Sequence, residues 1–249
     1  SRDALKAMVT TINTNAQTAA EISAQLLKLP AAADVDTAAE EAQVSDARAA
    51  YDKLTDAQKT WVSSAALQHL TAVESDIRTN LTSAEAFADA VAALPGNDQL
   101  SKTAAKQVEM VDAAYKKMSS AQKYRVSAAT LDVLANKQAA VAANEKAAAD
   151  LQKSVAALPK GADIDTDAEV QALNAAMNAY NGMNDAQKSW VDAATVANLQ
   201  AISTGAIFDS EATRMAALNL PTPLHTSFIS SGTAQQHNPH MQLRLIDGK

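Results

Sequence analysis

The sequence predicts an all-α protein built from tandem three-helix bundles, and three observations carry that prediction. Glycine and proline number only six each and aromatic residues make up 4% of a chain of 249 residues, a composition that favours helix almost everywhere. Apolar residues recur at three- and four-residue steps over long windows, the period of a helix with one buried face. The stretch AYDKLTDAQKTWV, Ala50 to Val62, also returns as AYKKMSSAQKYRV at Ala114 to Val126 and as AYNGMNDAQKSWV at Ala179 to Val191. Tyr51, Tyr115 and Tyr180 stand 64 and 65 positions apart, a period longer than that of common solenoid repeats. It suits about three small bundles joined by long, partly continuous helices. A unit of about 65 residues buries only about 60% of the surface of its unfolded chain, so neighbouring copies are expected to support one another through shared helices.

The first element is a helix from Arg2 to Leu29, with apolar positions Leu5, Met8, Ile12, Ala19, Ile22, Leu26 and Leu29. Pro30 ends it, and Leu-Pro recurs at Leu94-Pro95, Leu158-Pro159 and Leu220-Pro221. Proline cannot continue a helix and disfavours helical geometry in the residue before it, so these pairs mark boundaries. The repeat is read as copies at 1–82, 83–146 and 147–210, followed at 211–249 by the start of a fourth repeat helix and a tail outside the pattern. The opening of the chain directly in a helical pattern is expected of a segment cut from a longer precursor.

After each of the first three Leu-Pro pairs a short loop leads into a second helix. Thr37 with Glu40 and Thr166 with Glu169 form predicted capping boxes, in which the hydroxyl accepts from the third amide and the glutamate reaches back. The middle copy has Ser101 but Ala104 in place of the glutamate, so its helix start is predicted to be the weakest. The buried face of this helix is read at Val44, Ala47, Tyr51 and Leu54, then Val108, Val111, Tyr115 and Met118, then Leu173, Ala176, Tyr180 and Met183. Alternating steps of three and four form a packing seam. The tyrosines are placed in it with their hydroxyls at the rim.

The turn into the third helix carries the sharpest local signal: Thr55 with Gln58, Ser119 with Gln122 and Asn184 with Gln187, each an N-cap with Gln three positions on. Val62, Val126 and Val191 are the expected anchors of that turn. Trp61, Arg125 and Trp190 lie at its edge, covering the core with their flat or aliphatic parts. A break then recurs, with Ser63, Ser127 and Asp192 able to cap the next helical stretch. In the second copy the pattern runs without interruption from Leu131 to Leu158, 28 residues or about 42 Å of helix. Thr82 with Glu85 is a candidate new cap at the first junction, and Gly205 with Asp209-Ser210 are candidate breakers at the third.

Pro221 to Lys249 falls outside the repeat. It holds three of the four histidines and a short alternating run from Met241 to Ile246; its turn-rich composition reads as a disordered or artificial extension, the alternative being a strand that pairs with something outside this stretch.

The net charge of −7 without a basic stripe argues against nucleic acid as a partner. With no cysteine, disulfides, thiol catalysis and thiolate metal sites are excluded, while the compartment stays open. No run reaches the roughly 20 apolar residues of a membrane span, so no membrane insertion is expected. A catalytic site needs a nucleophile, a base and an orienting group brought together, or a metal cluster. His69 stands alone, and His237-x-x-His240 encloses Asn238-Pro239 and has no helical spacing. Asp34, Asp36, Asp163 and Asp165 have only Asp98 as a middle-copy counterpart and lack the EF-hand pattern. Asn80-Leu81-Thr82 is a glycosylation sequon by pattern alone. Leu220-Pro221-Thr222-Pro223-Leu224 departs from the sorting pattern LPxTG at its last two positions. No catalytic, cofactor-binding or metal-ligating residue is assigned, no cofactor is expected, and binding residues stay unassigned.

The run Ala47 to Val62, with Ala-Ala-Tyr-Asp, Leu-Thr-Asp-Ala-Gln-Lys and a closing valine, resembles a helical repeat found in tandem in large secreted and cell-wall-attached surface proteins of Gram-positive bacteria. The resemblance extends over about Ala20 to Ser210 and departs in the middle copy at Ser119-Ser120 and Tyr124-Arg125. It implies an extracellular location at the cell surface or cell wall. It also implies a non-catalytic stalk or spacer role, as in an adhesin, for a monomer within a longer multimodular chain. The alternative is a set of three-helix binding modules that recognise a host extracellular protein or glycan.

Overall fold

The computed structural model describes residues 1–217, with side chains through Ala206; the candidate features at Leu220-Pro221, at His237 and His240 and at Met241 to Ile246 lie outside the described residues. Helix accounts for the described chain apart from short connections. The α-helices are α1 (Arg2–Leu27), α2 (Ala38–Asp52), α3 (Asp56–Lys59), α4 (Ser64–Ala92), α5 (Lys102–Lys117), α6 (Ser120–Tyr124), α7 (Ala128–Ala156), α8 (Asp167–Gly182), α9 (Asp185–Lys188) and α10 (Ala193–Ala217). Single 3-10 turns follow the Leu-Pro pairs at Ala32–Asp34, Asn97–Gln99 and Gly161–Asp163. The chain forms two compact units, Ser1–Pro95 with Ala105–Ala139, and Gly96–Ala104 with Ala140 onward. The three sequence copies are therefore distributed over two units.

In the first unit α1, α2 and α4 pack pairwise around Leu26, Val35, Val44, Ala47, Ala66, Leu70 and Val73, with Ile22, Tyr51, Val62 and Ile77 at the edge. The second half of α4 buries Ala84, Phe87 and Val91, and the Phe87 ring lies 5.3 Å from that of Tyr115 at an angle of 34°, within the range of favourable aromatic pairs. In the second unit Leu151, Val155, Leu173, Ala176, Val191, Leu199 and Ile202 form the core. The predicted seam is present: Val44, Ala47, Leu54, Val108, Leu173 and Ala176 are buried, whereas the three tyrosines, Val111, Met118 and Met183 are half-buried.

The helix starts follow the local chemistry. Thr37 Oγ1 accepts from the Glu40 amide at 3.3 Å while Glu40 Oε2 accepts from the Thr37 amide at 3.0 Å, and Thr166 with Glu169 repeats both bonds. The three turns at Thr55, Ser119 and Asn184 are also reciprocal boxes with Gln58, Gln122 and Gln187. At α5, where the glutamate is missing, the Ser101 amide donates to the Gln99 carbonyl at 2.8 Å and the next amide is capped from a distance. Ser101 Oγ accepts from the Ala104 amide at 3.1 Å, and Ser189 Oγ, 87 residues away, accepts from the Lys102 amide at 2.9 Å. Ser127 and Asp192 accept from the Thr130 and Thr195 amides. Ser63 makes no such bond; its own amide donates instead to Ser23 Oγ at 3.0 Å.

Three expectations change. Thr82 and Glu85 start no new helix, because α4 runs unbroken from Ser64 to Ala92; the apolar stripe continues through the junction and outweighs a local capping alternative. Gly205 and Asp209-Ser210 do not break α10, which extends to Ala217. Gly205 has a packing reason: a Cβ on Gly161 would come within 2.7 Å of Gly205 Cα, 2.5 Å of the Ile202 carbonyl oxygen and 2.8 Å of the Ala206 nitrogen. The 3-10 turn lies directly on the helix backbone. The apolar stripe of α1 is also only half covered, since Leu5, Met8 and Ile12 are exposed while Ala19 and Leu26 are fully buried.

Gly161→Ala is expected to lower the stability of the second unit by about 1–3 kcal/mol, the usual range for forcing atoms into a packed contact. Gly182→Ala, where an added Cβ meets nothing within 4 Å, is expected to be neutral or to stabilise by about 0.4–1 kcal/mol. Urea unfolding followed by circular dichroism measures both.

Candidate functional site

The residues that recur between copies converge on the turn between the second and third helices. Its capping box fixes the backbone, and two of its side chains make contacts beyond the turn. The first is the lysine: Lys59, Lys123 and Lys188 place Nζ 5.6, 5.5 and 5.4 Å from the ring centroids of Tyr51, Tyr115 and Tyr180, within reach of the ring quadrupole. This pairing is not apparent from helical periodicity, because Lys and Tyr lie on different helices. It gives the recurring lysine a folding role over one face of each tyrosine.

The second is the residue before the closing valine. Arg125 Nη1 donates to the Val35 carbonyl at 3.1 Å and to the Ala121 carbonyl at 2.7 Å, and Nη2 reaches Glu41 at 3.4 Å. Trp190 Nε1 donates to the Leu100 carbonyl at 2.9 Å. Val35 and Leu100 occupy the same place in their loops, directly after the 3-10 turns, and both are fully buried. Each of these two side chains thus crosses from its own copy to the loop of the copy before it. Trp61, the first-copy counterpart, is 53% exposed.

A buried amide completes the contact in the second unit. Asn144 Nδ2 donates to the Leu100 carbonyl at 3.1 Å and Asn144 Oδ1 accepts from Gln187 Nε2 at 3.3 Å. The capping glutamine therefore serves both its own turn and the junction. A buried amide left without such partners would cost about 1–3 kcal/mol.

Outside these contacts the polar groups do local work. His69 Nε2 lies 3.1 Å from the Leu29 carbonyl at the end of the first helix, and Arg48 forks onto both oxygens of Glu74 through Nε and Nη2. Bonding to the Thr37 hydroxyl holds Glu40 below the ordinary glutamate value, and bonding to Thr166 does the same for Glu169. The Thr195 amide likewise lowers Asp192. Among the described residues no group of three His, Asp or Glu is placed to hold a metal ion, and no helix is long and apolar enough to cross a membrane. An open groove of about 770 Å³ between α7 and α8 is floored by alanines such as Ala147, Ala172, Ala175 and Ala179. Its acid, Asp150, is held by Lys146 at 2.6 Å. Asn80-Leu81-Thr82 lies within α4.

No family model, curated protein or solved structure matches this chain. What the molecule offers a partner is read from its own geometry. The recurring residues bind other parts of the chain.

Trp190→Phe keeps the ring and removes one donor, so it is expected to cost about 0.5–1.5 kcal/mol, and Asn144→Ala, which strips both amide bonds, about 1–3 kcal/mol. Urea unfolding of each variant checks these values. The stabilisation from Glu40 and Glu169 is complete at neutral pH. It is expected to be lost as pH falls through their lowered folded-state values, because protonation removes the charge that strengthens the bonds to the caps. Carbon-detected NMR titration should place both midpoints below the ordinary glutamate value.

Proposed function

We propose that this chain is a non-catalytic stalk segment of a bacterial cell-surface protein, made of three copies of one three-helix module. The observation that carries this reading is how the recurring residues are used. Val44, Ala47 and their counterparts fill the seam, and Gln58, Gln122 and Gln187 close caps. Lys59, Lys123 and Lys188 cover tyrosines. Arg125 and Trp190 fasten one copy to the loop of another. A module selected for a common ligand would repeat a solvent-facing constellation; here the repetition serves folding and joining. The long helices α4 and α7, 29 residues each, are shared between neighbouring copies, which suits a spacer. The extracellular setting rests on the resemblance of Ala47 to Val62 to Gram-positive surface repeats.

The second reading, modules that recognise a host extracellular protein or glycan, is favoured by the alanine-floored groove between α7 and α8. Immobilised chain should retain no partner from arrays of host extracellular proteins and cell-wall glycans if it is a stalk. Saturable binding that is abolished by Ala175→Arg in the groove would replace the stalk reading with the binding one.

A further inference from the structure

We propose that the N-terminal half of α1, together with Trp61, is a docking face for a helix–turn–helix hairpin of this same repeat, entering from the N-terminal side. The first observation is a position-by-position equivalence within the chain. Leu5, Leu70, Leu134 and Leu199 succeed one another at spacings of 65, 64 and 65, the repeat period. Three of the four are buried at 0%, 4% and 2% exposure, while Leu5 is 64% exposed. Met8 corresponds in the same way to Val73 and Ile202, both buried, with Lys137 in the middle copy, and Ile12 to Ile77, which packs on the first core. The first half of α1 therefore carries the third-helix sequence of the repeat. Where that sequence recurs in α4 it packs against α2, the second helix of a hairpin.

The second observation lies on a different element. Arg125 and Trp190 each donate to the carbonyl just past the 3-10 turn of the preceding copy. Trp61, at the same position, is exposed. Next to it Ala57 is exposed, whereas its counterpart Ala121 is fully buried on α6, which packs against the turn Ala32–Asp34. A hairpin seated on Leu5, Met8 and Ile12 brings its own leading loop to Trp61, because loop and second helix are contiguous in the repeat. One occupant satisfies both faces, and the loop contact it would make is already present twice within the chain. The docking face does not depend on the stalk reading, since binding modules built on the same repeat would present it as well.

The test extends the protein by one copy. Residues 17–65 placed directly before Ser1 continue the repeat in phase, because Ser1 corresponds to Ala66 at the spacing of 65. Peptides from residues 1–16 are unique in the extended chain, so hydrogen exchange by mass spectrometry reads them without ambiguity. The expected result is that protection over residues 2–14 rises about tenfold or more, from fraying towards core behaviour. The same extension carrying Val44→Asp and Leu54→Asp in the added copy should give no such gain. Leu5→Asp should leave the urea midpoint of the parent chain unchanged and lower that of the extended chain. Equal protection with and without the added copy overturns the proposal. Loss of stability on Leu5→Asp in the parent also overturns it, because the face is then already covered. Dependence of that loss on protein concentration would identify the cover as a second copy of the chain, and its disappearance on deletion of residues 218–249 would identify it as the tail.

Discussion

The reciprocal bond between an N-cap side chain and the glutamine three residues later is the constraint on which each copy depends. Side-chain oxygens of Thr55, Ser119 and Asn184 satisfy one orphan amide, and Gln58, Gln122 and Gln187 accept in turn from the amide of the cap residue. With both ends tied, the four- or five-residue helix has one permitted direction. The lysine then falls over the tyrosine of the helix before, and at Arg125 and Trp190 the residue ahead of the valine reaches the loop of the copy before. A helix this short has almost no stability of its own. Its tertiary contacts and caps hold it, and in return it sets the angle at which the long third helix departs.

Each copy seats the loop after Leu-Pro on its third helix, and each does so differently. In the first copy His69 lies beside the Leu29 carbonyl, and in the second Lys137 donates to the Pro95 carbonyl at 2.7 Å. In the third, the backbones of Gly161 and Gly205 meet directly. Backbone oxygens at the end of a helix need a partner or water. The sequence is free to supply an imidazole, an ammonium, or an approach so close that no side chain fits. That freedom explains why the loops diverge more than the glutamine caps of the turns that follow.

The helical class, the caps and the seam were legible because each is a short-range matter. A threonine and a glutamate three positions apart, or a valine seven positions after a cap, carry their reason within one or two turns. What was not legible depends on pairs far apart in sequence. Lys59 meets Tyr51 across a turn, Ser189 caps Lys102, and Trp190 and Asn144 share the carbonyl of Leu100. Local signals misled where a longer-range one competed with them. Thr82-Glu85 has the form of a helix start and Gly205 that of a helix end, yet both sit inside continuous helices, one carried by an unbroken apolar stripe and the other by contact with Gly161. No signal within a copy distinguished the covered half of α1 from the exposed half, since the stripe is the same in both.

Asn144 has a consequence for the alanine-rich surfaces around it. Small side chains make shallow ridges, and two alanine-lined helices can slide past each other by one turn with little change in the area they bury. The buried amide removes that freedom, because only one alignment brings Nδ2 to the Leu100 carbonyl and Oδ1 to Gln187. A slip of one turn would strand both halves of the amide in an apolar setting. Beyond its contribution to stability, the polar group decides which of several nearly equivalent alignments is the native one.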